Sequence, residues 1–162
     1  MTADRVSYWA TADSPVGHLL LSADDDGLTR LAFTPFTAPP TPPTPDHPVL
    51  AAARDQLCEY FAREREQFDL PLTPGGSEFR RRVWGQLRLV PYGTTTTYGA
   101  IARTLGLTGN GARAVGHANG ANPIAVIVPC HRVVGSDGRL TGYAGGLDRK
   151  RALLALERSA LC

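Results

Sequence analysis

The 162-residue sequence predicts a mixed α/β (α+β) fold in two parts, a small sheet-bearing domain over residues 1–75 and a helical domain over residues 76–162. Three observations carry the prediction. β-prone stretches crowd the first 33 residues, bounded by turn signals. Apolar residues recur at helical spacing through most of the rest. Between the two regions, Thr73-Pro74-Gly75-Gly76 punctuates the chain at the point where the charge changes sign. Residues 1–75 hold five basic and eleven acidic side chains, whereas residues 76–162 hold twelve basic and four acidic.

The elements follow in order. Val6 to Ala10 is short and β-prone. Val16–Ser22 and Leu28–Phe33 flank Asp25-Asp26-Gly27, which signals a hairpin. Seven of the fifteen residues from Thr34 to Pro48 are proline, so this segment lacks the amide donors of a ladder or a helix and reads as an extended surface loop. Val49, Leu50, Ala53, Leu57, Tyr60 and Phe61 predict a helix over residues 48–64. Phe68 to Leu72 reads as a short strand.

The second part opens on Ser77, a good N-cap, followed by a helix whose apolar face is Phe79, Val83, Trp84 and Leu87. Thr97 can cap a second helix over residues 98–105. Gly106–Gly109 makes a turn, and a third helix spans residues 110–119. Two short helices joined by a glycine-containing turn in a basic region match a helix-turn-helix. The third helix is rich in Gly and Ala; the glycines lower its own stability, and the small side chains let a backbone come close to a neighbour, either another helix or a nucleic-acid groove. Ile124–Val128 reads as a buried strand. Ser136-Asp137-Gly138 signals a second hairpin between Val133-Val134 and Leu140-Thr141, and Leu147–Arg158 is the last helix.

Composition narrows the function. At 43% hydrophobic and 20% charged residues the chain can build a core. No apolar run is long enough for a transmembrane helix. The opening Met1-Thr2-Ala3-Asp4-Arg5 lacks the pattern of a secretory signal, and three cysteines cannot all pair, so a cytoplasmic protein with free thiols is expected. Sixteen of the 17 basic residues are arginine, Lys150 being the exception. Arginine suits phosphate and base contacts; a GC-rich genome accounts for the same bias but not for its segregation. Neither a zinc-ligand spacing nor a nucleotide-binding glycine loop occurs, so no metal and no cofactor are expected.

The chemistry centres on Cys130 in Pro129-Cys130-His131-Arg132-Val133-Val134. A thiol is nucleophilic as thiolate, and cationic neighbours favour that form. In an extended strand Cys130 and His131 point to opposite faces, so they communicate only if the chain bends or a water bridges them. Two readings stand: a nucleophile with its base, or a buried thiol beside an incidental imidazole. Glu157 follows Leu153 by four residues and Leu154 by three, which puts it on an apolar helix stripe where a carboxylate needs a partner such as histidine; a frayed last turn in solvent is the alternative.

These residues resemble the active-site signature of the O6-alkylguanine-DNA alkyltransferases. The likeness extends through Tyr98-Gly99-Ala100-Ile101-Ala102, Ala112-Arg113-Ala114-Val115-Gly116, Gly120-Ala121-Asn122-Pro123, Tyr143-Ala144-Gly145-Gly146-Leu147 and Glu157. It implies a ribonuclease-H-like N-terminal domain and a winged helix-turn-helix-type C-terminal domain. It also implies irreversible, single-turnover transfer of an alkyl group from O6-alkylguanine, and from O4-alkylthymine, in duplex DNA to Cys130. His131 would activate the thiol through water and be held by Glu157. Asn122 would bridge the helix-turn-helix to the active-site segment, and Tyr98 would hydrogen-bond the departing guanine. Arg113 would fill the gap left by the flipped nucleotide, with Ala112, Gly116 and Arg132 also at the DNA. Val133, Tyr143, Ala144 and Gly145 would line the substrate pocket. The partner implied is double-stranded DNA, approached through its minor groove by a monomer, with cooperativity left open. His117, on the recognition helix, is read as either a phosphate contact or a solvated side chain. Relatives that only bind damage lack the cysteine, which is present here; a thiol hydrolase built on Cys130, His131 and Glu157 would need no basic region.

Overall fold

The structure, a computed structural model, describes residues 7–159. Val6, expected to open the first strand, and the C-terminal Cys162 lie outside the described residues. The chain divides into two compact units, Met1–Gly75 and Gly76–Cys162.

The first unit is a three-stranded antiparallel sheet in the order β1 (Tyr8–Ala12), β2 (Leu19–Ala23), β3 (Leu28–Phe33), with helix α1 (Pro48–Phe61) packed against it. The central strand carries the core: Leu19, Leu20, Leu21 and Ala23 are all buried, and Leu50, Ala53, Leu57 and Tyr60 of α1 are buried with them. The turn between β2 and β3 is held by Asp24, whose Oδ1 accepts from the amides of Asp26 and Gly27 at 2.9 Å and from the Thr73 hydroxyl at 3.0 Å. Gly27 is required there, because a Cβ would stand 2.6 Å from the Pro71 carbonyl oxygen.

Two expectations change in this unit, and the extended surface loop holds with added ties. The strand expected at Phe68–Leu72 shrinks to one parallel bridge between Leu28 and Leu72. Pro71 has no amide to donate, and Gln56 takes both backbone groups of Asp69, at 2.8 and 3.0 Å. Helix α1 stops at Phe61 rather than Glu64, because Arg63 turns left-handed at φ 63°. The proline-rich loop is tied to β1, since Trp9 Nε1 donates to the Thr41 carbonyl at 2.9 Å and the Thr44 amide to the Trp9 carbonyl at 2.8 Å.

The second unit is mainly helical: α2 (Glu78–Leu87), α3 (Tyr98–Thr104), α4 (Gly111–Gly120) and α5 (Leu147–Ser159). Ser77 and Thr97 cap α2 and α3, their hydroxyls accepting from the amides of Arg80 and Ala100. Helices α3 and α4 pack as a pair around the turn at Gly106 and Gly109, both at positive φ. Trp84 pins α2 to α4 by donating Nε1–H to the Ala118 carbonyl at 2.8 Å. A two-residue strand β4 (Thr96–Thr97) pairs in parallel with β5 (Val133–Val134). That pairing sets the start of α3 beside the segment that follows Cys130.

Residues 124–128 are not a strand. They fold into buried tight turns, with Val128 N donating to the Ile124 carbonyl, Ile127 N to the Ala125 carbonyl, and Val126 at φ 69°. The expected hairpin keeps only its turn, in which Gly135 N donates to the Arg139 carbonyl; β5 pairs with β4 and not with Leu140-Thr141.

Candidate active site

The turns at 124–128 lead into a single 3-10 turn over Cys130–Arg132, so the chain bends where the sequence reading needed it to. Asn122, two residues past α4, holds this segment from inside. Its Nδ2 donates to the Val128 carbonyl at 2.8 Å, and its Oδ1 accepts from the Ile124 amide at 3.0 Å. The same side chain favours the charged form of the Cys130 thiol. Cys130 is 4% exposed.

His131 and Glu157 are both wholly buried and meet at 2.7 Å, Nε2 to Oε2. Glu157 does not stand alone with the imidazole. Arg132 donates Nε–H to its Oε1 at 2.8 Å and Nη2–H to its Oε2 at 3.0 Å, a two-pronged pair, and Nη1–H to the Val90 carbonyl at 2.8 Å. With the carboxylate accepting, Nε2 of His131 carries the ring hydrogen and Nδ1 is left as an acceptor. Burial pushes the imidazole below its ordinary pKa, against the upward pull of Glu157, so the ring is neutral near pH 7. Nδ1 is itself buried and makes no hydrogen bond with any described residue.

Two expectations are corrected here. Arg132 was expected at DNA, but its guanidinium is buried and committed to Glu157 and Val90. The thiol was expected to be acidified by His131 and Arg132. Instead burial raises its pKa, because the imidazole is neutral and the guanidinium is spent on Glu157. The groups that pull it back down are Asn122, Lys150 and Tyr143. Tyr143 favours the sulfur's charge and is itself kept protonated by burial and by that charge.

The remaining expected residues sit as follows. Tyr98 is half-buried, its hydroxyl 2.5 Å from Thr141 Oγ1. It lines a surface groove of about 480 Å³ with Ala112, Arg113, Gly116, His117 and Gly120, the outer face of α4. Arg113 and His117 are exposed there. Val133 is buried, whereas Ala144 is exposed and Gly145 half-buried. Sequence reasoning missed Lys150 and Thr141. Lys150 is wholly buried and donates Nζ–H to the Thr141 carbonyl at 3.1 Å. A signal did exist: Lys150 is the sole lysine of the chain and stands seven residues, two helical turns, before Glu157.

Fold and site together define a class, a small α/β protein in which a helix-turn-helix pair is joined to a buried cysteine with an imidazole–carboxylate partner. The domain family described as the DNA binding domain of 6-O-methylguanine DNA methyltransferase matches residues 78–159, and the ribonuclease-like domain of the same proteins matches residues 7–74. The methylated-DNA–protein-cysteine methyltransferase of Mycolicibacterium paratuberculosis is 53% identical over 93% of this chain and 92% of its own length. That of Mycobacterium tuberculosis is 51% identical over 94% and 93%. The crystal structure of the M. tuberculosis protein in complex with DNA superposes with a TM-score of 0.87 at 49% identity, covering 94% of each chain. The chain belongs to the 6-O-methylguanine DNA methyltransferase family.

Proposed function

We propose that this chain repairs O6-alkylguanine, and by the same chemistry O4-alkylthymine, in duplex DNA by moving the alkyl group irreversibly to Cys130. The observation that carries this reading is the buried thiol set beside a neutral imidazole whose tautomer Glu157 fixes. The thiol proton passes through a water to Nδ1 of His131. The sulfur attacks the alkyl carbon, an S–C bond forms, and the C–O6 bond breaks with its electron pair going to the guanine. Tyr98 stabilises the guanine anion by a hydrogen bond, and the base finally takes a proton from the imidazolium. The thioether is not hydrolysed, so each molecule acts once.

A base stacked in a duplex hides its O6 substituent from a thiol that is 4% exposed, so the nucleotide must swing out, at a cost of a few kcal/mol. The small-faced groove on α4 supports close approach to the minor groove, with Arg113 filling the space vacated in the stack. The protein acts as a monomer on double-stranded DNA.

Mass spectrometry tests the reading. Incubation with O6-methylguanine duplex DNA adds one methylene mass to the peptide containing Cys130, once per molecule. Multiple turnovers, or an unmodified Cys130, would refute it.

A further inference from the structure

We propose that Thr141 is a positioning residue for the transfer step: its hydroxyl holds the Tyr98 hydroxyl in place and donates to it as the guanine anion forms. This deepens the function proposed above and rests on Tyr98 hydrogen-bonding the departing base. Tyr98 Oη and Thr141 Oγ1 stand 2.5 Å apart, and among the described residues each hydroxyl has the other as its hydrogen-bond partner. Both ends of the pair are fixed. Tyr98 opens α3, whose start is set by the Thr97 cap and by the pairing of Thr97 with Val134, four residues past Cys130. Its ring lies along α4, where a Cβ on Gly116 would stand 3.7 Å from Cδ1 and 3.9 Å from Cε1. Thr141 is tied by its other groups. Its carbonyl takes the ammonium of buried Lys150 at 3.1 Å. Its methyl lies against Gly135, where a Cβ would come within 3.4 Å of Cγ2, and Gly135 closes a turn by donating to the Arg139 carbonyl at 2.8 Å. A β-branched side chain is stiff about its first torsion, so placing the carbonyl and the methyl also aims the hydroxyl.

Each hydroxyl has one proton to give and lone pairs to accept with, so either can be the donor of the pair. A phenol donates more strongly than an alcohol, and with no base present the Tyr98 proton goes to Thr141. When the C–O6 bond breaks, the guanine anion becomes the better acceptor. Tyr98 turns its proton to the base, and Oη is left as an acceptor without a donor. Thr141 rotates about its Cβ–Oγ1 bond and donates to Oη. No proton changes owner, and Thr141 neither makes nor breaks a covalent bond. Hydrogen bonds in a chain polarise one another, so the bond from Tyr98 to the anion is strengthened. A fixed hydroxyl does this without the reorganisation that a mobile water needs. The gain exists only once charge develops on the leaving base, so it speeds transfer and adds nothing to duplex binding.

A double-mutant cycle separates this role from simple support of the loop. Single-turnover transfer from O6-methylguanine duplex DNA is measured at saturating protein for the parent, Thr141→Val, Tyr98→Phe and the double variant, with duplex affinity read by fluorescence anisotropy. Thr141→Val slows transfer about tenfold at the parent's duplex affinity. Thr141→Ser, which keeps the hydroxyl, returns toward the parent. In the Tyr98→Phe background Thr141→Val costs nothing further, because the hydroxyl it supports is gone. Alkylation of Cys130 by iodoacetamide, which releases no guanine, keeps its rate in Thr141→Val. If Thr141→Val does not fold, Thr141→Ala completes the cycle. Equal slowing in both Tyr98 backgrounds, or a matching loss with iodoacetamide, makes Thr141 a prop for the fold and overturns the proposal. A full-rate Thr141→Val beside a slowed Tyr98→Phe overturns it while the role of Tyr98 stands; full rates in both remove the role of Tyr98 as well.

Discussion

Removing Glu157 exposes how much one carboxylate holds. It satisfies His131 and both prongs of Arg132 in a site closed to solvent. Glu157→Gln leaves a buried guanidinium uncompensated, and we expect a loss of about 3 kcal/mol in urea unfolding, together with slower transfer because the imidazole tautomer is no longer fixed. The neutral imidazole predicts a pH dependence as well. The folded-state pKa of His131 lies below its unfolded value near 6.5, so the unfolded chain binds the proton first on acidification. Stability is full above pH 6.5 and falls as the pH drops through the folded-state pKa. Urea midpoints at pH 7.5 and 5.5 should therefore differ more in the parent than in His131→Gln; equal differences would place the acid sensitivity elsewhere. The pairing of Glu157 with His131 was legible in the sequence, because an apolar stripe demands a partner for a carboxylate. The fate of Arg132 was not. An arginine beside a catalytic motif in a basic region reads as a DNA contact, and only the fold reveals that Glu157 has two oxygens to satisfy.

Glycine in α4 shows what one helix trades away. Gly116 lies in the helix interior, and a Cβ there would meet the Tyr98 ring at 3.7 Å, ordinary contact distance. Gly116→Ala should stabilise the protein by up to about 1 kcal/mol, read by thermal melting, while weakening duplex binding because the methyl stands in the groove between Tyr98 and Arg113. Gly111→Ala goes the other way: its Cβ would stand 2.6 Å from the Leu107 Cβ, so backbone must shift and stability falls by about 1–3 kcal/mol. A Gly116→Ala protein that gains stability and keeps full DNA affinity would remove α4's outer face from the interface. At this scale the capped helices were readable, because Ser77 and Thr97 act locally. The segment 124–128 was not, since a short apolar run between Pro123 and Pro129 has no period to separate a strand from buried turns. Likewise β5 found its partner thirty-seven residues upstream, at Thr96↔Val133, where local turn chemistry has no say.

Across the whole molecule, charge is sorted along the chain: the excess of arginine lies in residues 76–162 and the excess of acid in residues 1–75. That division was visible from composition alone. It says that binding to duplex DNA should weaken as salt rises, through release of phosphate counterions, with a slope set by the arginines that reach the backbone. Arg113 belongs to a different term. In the proposed mechanism it occupies the flipped nucleotide's place, and so would act after the duplex is bound. Arg113→Ala should therefore weaken capture of a lesion-bearing duplex over the whole salt range while changing the log–log slope by less than one, the change expected for a lost phosphate contact. Its reaction with the free O6-methylguanine base, which needs no flipping, should stay near the parent rate. Fluorescence anisotropy at several salt concentrations and single-turnover transfer to both substrates decide between the two. A slope reduced by a full unit makes Arg113 a phosphate contact, and an equal loss on the free base makes it part of the chemical site instead.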